Sequence, residues 1–432
     1  MEKSLWQHET KLPSFDSLKD DIKTDVLIIG GGMCGLLCGY YLKLSGIDCV
    51  LVEAEKIASG TSGNTTAKIT SLHGAIYGDL LEKSGIDTAQ KYFDINQKAI
   101  KEYEKIAKAV DCSFKESTAY TYSLNDKAKI ESEYNALLKL GASAQLGTKS
   151  PLPFKISAMV ALKNQAEFNP LKFIEYIVKD LKIYENTQIL KVDGNTAYYN
   201  GGKIKAKKII VASHFPFINK HGFYFLKLYQ YRSYVIALEN AQNVNGMYAC
   251  EADGGLSFRN YGNLLLLGGG GARTGKPCGN WEELIKFKDK YYPKSKIKYK
   301  WATQDCMSLD KIPFIGQYSK NTPNLLVATG FNKWGMTSSM VSAMILTDMI
   351  MDNKNEYADI FDPSRSILKP QLAINCIETL SNFIIPTTRR CPHLGCALKW
   401  NKYEHSWDCS CHGSRFRKDG KLINNPANKD MK

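Results

Sequence analysis

With 432 residues, 44% of them hydrophobic, the chain can support two or three packed units with real cores. No apolar run approaches the ~18 uninterrupted residues of a membrane span, and the opening Met-Glu-Lys-Ser-Leu-Trp mixes charges where a secretory signal needs an apolar core, so a cytoplasmic protein without a membrane span is expected. The net charge of +14 is spread lysine by lysine, and in the concentration at Lys286–Lys300 the interleaved Tyr291, Tyr292 and Tyr299 supply aromatics only faintly. That pattern fits a solvated surface able to steer an acidic redox partner better than it fits nucleic-acid binding.

The first predicted element is the apolar strand Asp25–Ile29, which runs directly into Gly30-Gly-Gly32-Met-Cys34-Gly35 and a helix-prone run through Lys43. Gly-x-Gly-x-x-Gly between a strand and a helix is a dinucleotide fingerprint. Gly30 permits the tight turn, Gly32 the approach of a pyrophosphate, and Gly35 close packing of helix on strand, while the helix N-terminus stabilises phosphate charge. A second strand, Cys49–Val52, ends in Glu53 and Ala54, and a carboxylate eighteen residues after Gly35 suits a ribose hydroxyl. Next comes a small-residue, hydroxyl-rich loop, Gly60-Thr61-Ser62-Gly63-Asn64-Thr65-Thr66-Ala67-Lys68, able to lie flat against a flavin.

Residues 85–140 read as helix-rich, with apolar positions three and four apart around Ala99–Ala107, and Arg232–Leu238 and Gly262–Gly268 read as strands. Lys208–Ser213 returns an apolar strand ending at Ala212. Ile312–Gly316 and Asn324–Thr337 close the series with a strand, the turn at Gly330 and a small-residue helix starting near Gly335, Met336 and Thr337.

From about residue 20 to 355 these segments resemble the D-amino-acid oxidase and glycine oxidase family of flavoproteins. The resemblance implies FAD, held by Gly30, Gly32, Cys34, Gly35, Glu53, Ala54, the loop residues Gly60, Thr61, Ser62, Asn64, Thr65 and Thr66, and by Ala212, Gly330, Gly335, Met336 and Thr337. By the same analogy the amides of Gly335 to Thr337 stabilise negative charge on the flavin, as a helix N-terminus does. A roof of cap strands would supply the substrate residues. Arg232, Tyr234, Arg259 and Tyr261 are candidates because a guanidinium grips a carboxylate bidentately, with Lys68 and His73 near the flavin's reactive edge. No catalytic base is identifiable.

The carboxyl-terminal residues contain Cys391-Pro-His393-Leu-Gly-Cys396 and Cys409-Ser-Cys411-His412-Gly-Ser. Cys391, His393, Cys409 and His412 would give two thiolates to one iron and two imidazoles to the other of a 2Fe-2S cluster. Tetrahedral zinc on four of the six groups is the competing reading. With Trp407-Asp408 before Cys409 and Arg415-Phe416 after it, the segment resembles a Rieske domain, in which the extra pair, here Cys396 and Cys411, forms a disulfide. Ser410 stands where that family usually has proline, and the short stretch after Asp362 leaves little room for the strands that usually precede the first ligand loop.

The fold expected is therefore α/β: a Rossmann-like FAD-binding domain (20–84, 150–225 and 300–355) with an inserted α+β substrate domain (85–149 and 226–299), a linker (356–385) and a small β-rich, abridged Rieske-like module (386–432). The other cysteines, Cys34, Cys38, Cys49, Cys112, Cys250, Cys278, Cys306 and Cys376, are scattered as reduced core thiols usually are. The function expected is an FAD-dependent dehydrogenase that oxidises a small amine, amino acid or hydroxy acid and passes electrons singly through the cluster to an unidentified acceptor. An NAD(P)H-linked reductase is disfavoured because Gly268–Gly275 has the wrong spacing for a second nucleotide fingerprint. The third reading, a redox sensor or electron-transfer protein without a metabolite, stays open. An oxygenase would need a two-His, one-carboxylate iron site, and the remaining His8, His73, His214, His221 and His405 include no helical pair.

Overall fold

The computed structural model describes residues 2–431. Strand β1 (Ile22–Ile29) leads into helix α1 (Met33–Leu44) and strand β2 (Cys49–Val52). The last residues of β1 and nearly all of β2 are buried, as befits parallel strands covered on both faces. Gly46, at φ +73°, ends α1 in the left-handed conformation that glycine adopts without penalty. Helix α2 (Tyr77–Ala107) opens the cap and bends at Gly85, whose φ is +82°. The chain returns through β3 (Ile183–Tyr184) and β4 (Gly202–Val211), and leaves again for β5 (Leu228–Glu239), β6 (Leu264–Arg273) and β7 (Lys296–Ser308). It closes the nucleotide domain with β8 (Phe314–Gln317), β9 (Leu325–Thr329) and α3 (Gly335–Ile350).

Two large sheets result. Six strands of the eight-stranded nucleotide sheet run in the order β8-β9-β4-β1-β2-β3, with parallel pairing of β1 to both β4 and β2, and a hairpin of residues 189–199 adds the other two beside β4. Ligands sit beyond the carboxyl ends of such strands. The second sheet has nine strands, and its edge β7-β5-β6 is antiparallel. It roofs the carboxyl ends of the first. Helix α3 packs its buried Ser338, Ser339, Ser342 and Ala343 into the nucleotide core, where small side chains permit close approach.

Residues 356–385, expected as a linker, instead carry helix α4 (Pro370–Ile384). Beyond it, β10 (Leu398–Asn401), β11 (Ser406–Cys409), β12 (Arg415–Arg417) and β13 (Leu422–Asn424) form a four-stranded antiparallel sheet. This module has its own small core around Leu398, Phe416 and the four cysteines. It is also docked on the cap, which a sequence-local reading had no means to anticipate. No helix among the described residues is long and apolar enough to cross a membrane.

Candidate functional site: two redox-cofactor sites in contact

A cavity of about 1080 Å³ runs from the β1–α1 turn to the underside of the roof. Gly30, Gly32, Cys34, Glu53, Ala54, Gly60, Thr61, Ser62, Thr65, Thr66, Ala212, Gly335 and Met336 all line it. The turn cannot carry side chains: a Cβ on Gly30, at φ +116°, would lie 2.5 Å from the Ala212 carbonyl, and one on Gly35 would lie 2.0 Å from the Gly30 carbonyl. Gly32 is the N-cap of α1 and offers no side-chain cap, which leaves the helix amides facing the cavity. Ser62 Oγ accepts from Met33 N at 2.8 Å, and Glu53 accepts from Gly31 N at 2.6 Å. This elongated, glycine-walled cradle at a helix N-terminus fits a dinucleotide such as FAD.

Four expected contacts stand behind the cavity wall. Gly35 packs on Gly30, and Gly330, at φ +73°, lies against Leu228 and Ser308. Asn64 donates back to the carbonyls of Ser59 and Gly60, bracing its own loop. Thr337 shares its hydroxyl with His73 and the Thr70 carbonyl.

The roof reassigns most candidate substrate residues. Arg232 donates to Glu404 Oε1 at 2.8 Å and Tyr234 to the same oxygen at 3.1 Å, so both grip the carboxyl-terminal module; Tyr234 also lines the cavity, whereas Arg232 does not. Arg259 is fully buried and donates to the carbonyls of Thr66 and Ala67, propping the flavin loop from behind. Tyr261 donates to Glu9. His73 lies outside the cavity. The Thr70 carbonyl can only accept, so His73 Nε2 carries the proton and Nδ1 accepts from Tyr92, while burial pushes the imidazole down to about 3. Lys68 does line the cavity, and burial lowers its ammonium to about 7.

Among the charged groups lining the cavity that sequence reasoning missed are Asp305 and Lys333. In β7, Thr303 and Asp305 stand opposite Ser233 and Tyr231 of β5, and all four line the cavity. Burial raises Asp305 to about 6, against the pull of Lys333. Burial also lowers Lys333, whose Nζ sits 3.6 Å from the centroid of the Tyr231 ring. Lys333 and its neighbour Asn332 both have positive φ, +73° and +51°, conformations that non-glycine residues hold only under tertiary constraint. Asn332 supplies the constraint by accepting from Ser308 N at 2.8 Å. Lys333 lies inside the Gly330–Thr337 motif, which was one available signal. Asp305 had none, because it sits in a strand whose facing partner is set only by register. No arginine lines the cavity among the described residues.

In the carboxyl-terminal module, Cys391 and Cys409 are free and buried, while Cys396 and Cys411 are joined in a disulfide. The sulfurs of Cys396, Cys409 and Cys411 lie within 4.8 Å of one another, but bonding of the first to the last removes both as ligands. Cys391 lowers the Cys409 thiol to about 7 through the hydrogen bond between them, and the amides of His412, Cys411 and Gly413 add to this against burial. The rings of His393 and His412 lie 5.0 Å apart, and Nδ1 of each is buried without a hydrogen-bond partner. Two thiols and two partnerless imidazole nitrogens aimed together are the donor set of a mixed Cys/His 2Fe-2S cluster.

The module is held against the cap by buried polar contacts. Glu404 lies between Arg232 and Arg415, whose guanidiniums hold its carboxyl down at about 2 although burial opposes this. Arg273 donates to the carbonyls of Ser410 and Cys411, Gln230 to those of His412 and Asn425, and Gln304 to that of Gly413. His393 Nε2 meets Asn219 Oδ1 at 3.0 Å. One short segment touches both sites: Ala212, Ser213 and His214 line the cavity, and Phe215 lies edge-on to the candidate ligands His393 and His412, at 6.4 and 6.2 Å. The Asn425 amide donates to the carbonyls of Ser213 and Phe215 and clamps that segment to the module.

Residues 25–349 match the protein family described as FAD dependent oxidoreductase, and residues 367–432 the one described as Rieske 2Fe-2S domain. A Rieske 2Fe-2S iron-sulfur protein of Bacillus subtilis (strain 168), YhfW, is 35% identical, with 99% of this chain and 97% of that protein aligned. Among solved structures, glycine oxidase from Geobacillus kaustophilus aligns with a TM-score of 0.68 at 15% identity, covering 80% of this chain and 99% of that one. L-proline dehydrogenase from P. horikoshii aligns at 0.66 and 16% identity, covering 80% and 98%. These two share the fold.

Proposed function

From the premise that the chain belongs to the FAD-dependent oxidoreductase family and carries a Rieske 2Fe-2S domain, we propose that it is a dehydrogenase. On this reading it oxidises a small amine, amino acid or hydroxy acid, and electrons leave singly through the cluster to an acceptor outside the chain. When bound, FAD supplies hydride acceptance and the cluster single-electron relay. The protein's part is to orient substrate and to join the two sites. The observation that carries the reading is the Ala212–Phe215 segment, which touches the cavity at one end and both ligand histidines at the other.

Within the class, an amino acid is favoured. The cavity sets the cations Lys333 and Lys68 against the carboxylate Asp305, a pattern complementary to a zwitterion. Lys333 would take the substrate carboxylate, and Asp305, raised to about 6, would accept a proton from the ammonium. By their names, glycine oxidase and L-proline dehydrogenase also act on amino acids. The eight free cysteines other than Cys391 and Cys409 support a reducing cytosol as the compartment, and the lysine-rich surface supports an acidic redox protein as acceptor.

The test mixes anaerobic protein with NADH, NADPH, amino acids and hydroxy acids in turn, following flavin absorbance and the cluster's paramagnetic resonance. Bleaching by an amino acid, followed by a Rieske-type signal, is the expected result. Bleaching by a nicotinamide would make the protein a reductase. Bleaching without a cluster signal would detach the two centres.

A further inference from the structure

Helix α4 is amphipathic in the reverse sense to the other surface helices. Its polar residues face the protein: Asn375, Glu378 and Asn382 are 3%, 8% and 1% exposed. Asn375 accepts from Arg273, Glu378 pairs with Lys276 at 2.6 Å, and Asn382 accepts from Ser410 Oγ beside the ligand loop. Its apolar residues face outward: Ile374, Ile377, Leu380 and Ile384 are 54%, 67%, 66% and 82% exposed. Their spacing of three, three and four places them on one stripe, which Leu368 and Ile385 prolong at either end. A contiguous stripe of this kind marks a contact surface, unlike apolar residues scattered singly.

The geometry points to an anionic lipid surface as the occupant. A lone helix standing proud of the surface is convex, so it suits insertion into a soft interface; a bound peptide would need a groove. Charge points the same way. From Pro363 to Cys396 the sole acidic residue is Glu378, which is paired and buried, while Lys369 precedes the helix and Arg389 and Arg390 follow it. A second copy of the chain would bring the same basic rim and another +14 against this one, whereas anionic lipid neutralises both. The inference is independent of the substrate, and it would put the cluster module at the membrane surface.

The test is flotation of the intact holoprotein with vesicles of phosphatidylcholine and of phosphatidylcholine mixed with phosphatidylglycerol. Capture by the mixed vesicles, weakening with salt, is expected. The double variant Ile377→Glu/Leu380→Glu should bind on the order of a hundredfold more weakly, from the apolar area withheld from lipid. Its flavin absorbance and cluster resonance should be unchanged, because both side chains are exposed. If that pair compromises folding, Ile377→Ser/Leu380→Ser should give the same direction of change. Absence of capture by the mixed vesicles, or undiminished capture of a folded variant, overturns the proposal. A dimer seen by light scattering and dissolved by the same variants would also overturn it, by giving the face to a second copy.

Discussion

The two cofactor sites are built by opposite means. The flavin cradle is made of backbone: the β1–α1 turn presents amides and a helix end, and its glycines are there because the Ala212 and Gly30 carbonyls leave no room for a Cβ. The cluster site, with Cys391, His393, Cys409 and His412 as its proposed ligands, is made of side chains on two loops held by the Cys396–Cys411 disulfide and by the clamp on Glu404. A site of backbone tolerates exchange of most residues but no added volume at its glycines. A site of ligands tolerates no exchange of donors. Each should therefore fail without the other.

The largest effect should come from Cys409→Ser, which removes a donor: iron content should fall to near zero while flavin absorbance persists. Loss of flavin as well would show that the two sites fold as one unit. Asp305→Asn should lower kcat by about 10²–10⁴-fold, the range for a general base, with flavin and cluster both retained. In the unsubstituted protein kcat/KM should rise as pH passes through about 6, where Asp305 ionises. A flat profile would remove Asp305 from that role.

Glu404→Ala should cost about 3–5 kcal/mol in chemical denaturation, because it strands the buried Arg232 guanidinium and leaves Arg415 only Asp408 of its two carboxylate partners. The same carboxyl titrates at about 2 when folded instead of its ordinary 4.5, a lowered value. Its contribution is therefore present above the unfolded pKa and is lost as pH falls toward about 2, amounting to about 3 kcal/mol. An acid melt unaltered by Glu404→Gln would contradict this. Gly35→Ala should cost about 3 kcal/mol by overpacking and should lower flavin occupancy while iron stays bound, the mirror of the cysteine variant. The smallest effect is expected for Lys333→Met, which should raise KM for a carboxylate substrate about tenfold with kcat little changed. A larger loss in kcat than in KM would place Lys333 nearer the chemistry than the substrate's carboxylate.

Legibility followed the range of the interactions. Gly30, Gly32, Gly35 and Glu53 were readable because strand, turn and helix lie within thirty residues and each glycine answers a local steric demand. The six-residue pattern of Cys391, His393, Cys396, Cys409, Cys411 and His412 was readable because ligand loops are short and their chemistry tolerates few residue types. The module contacts of Arg232 and Tyr234 were illegible for the opposite reason. Both residues lie some 170 residues before Glu404, and nothing near them in the chain shows that their carboxylate partner belongs to the protein itself.

By itself, then, the sequence determined the class of both cofactors and the order of the units, since these depend on contacts along a few turns of chain. Tertiary structure alone decided that Asp305 and Lys333 both line the cavity, that α4 turns its apolar side outward, and that Phe215 packs against His393 and His412. Those facts depend on sheet register and on how one unit docks against another. Both are set by the sum of many weak contacts between distant segments, and no short window of sequence encodes that sum.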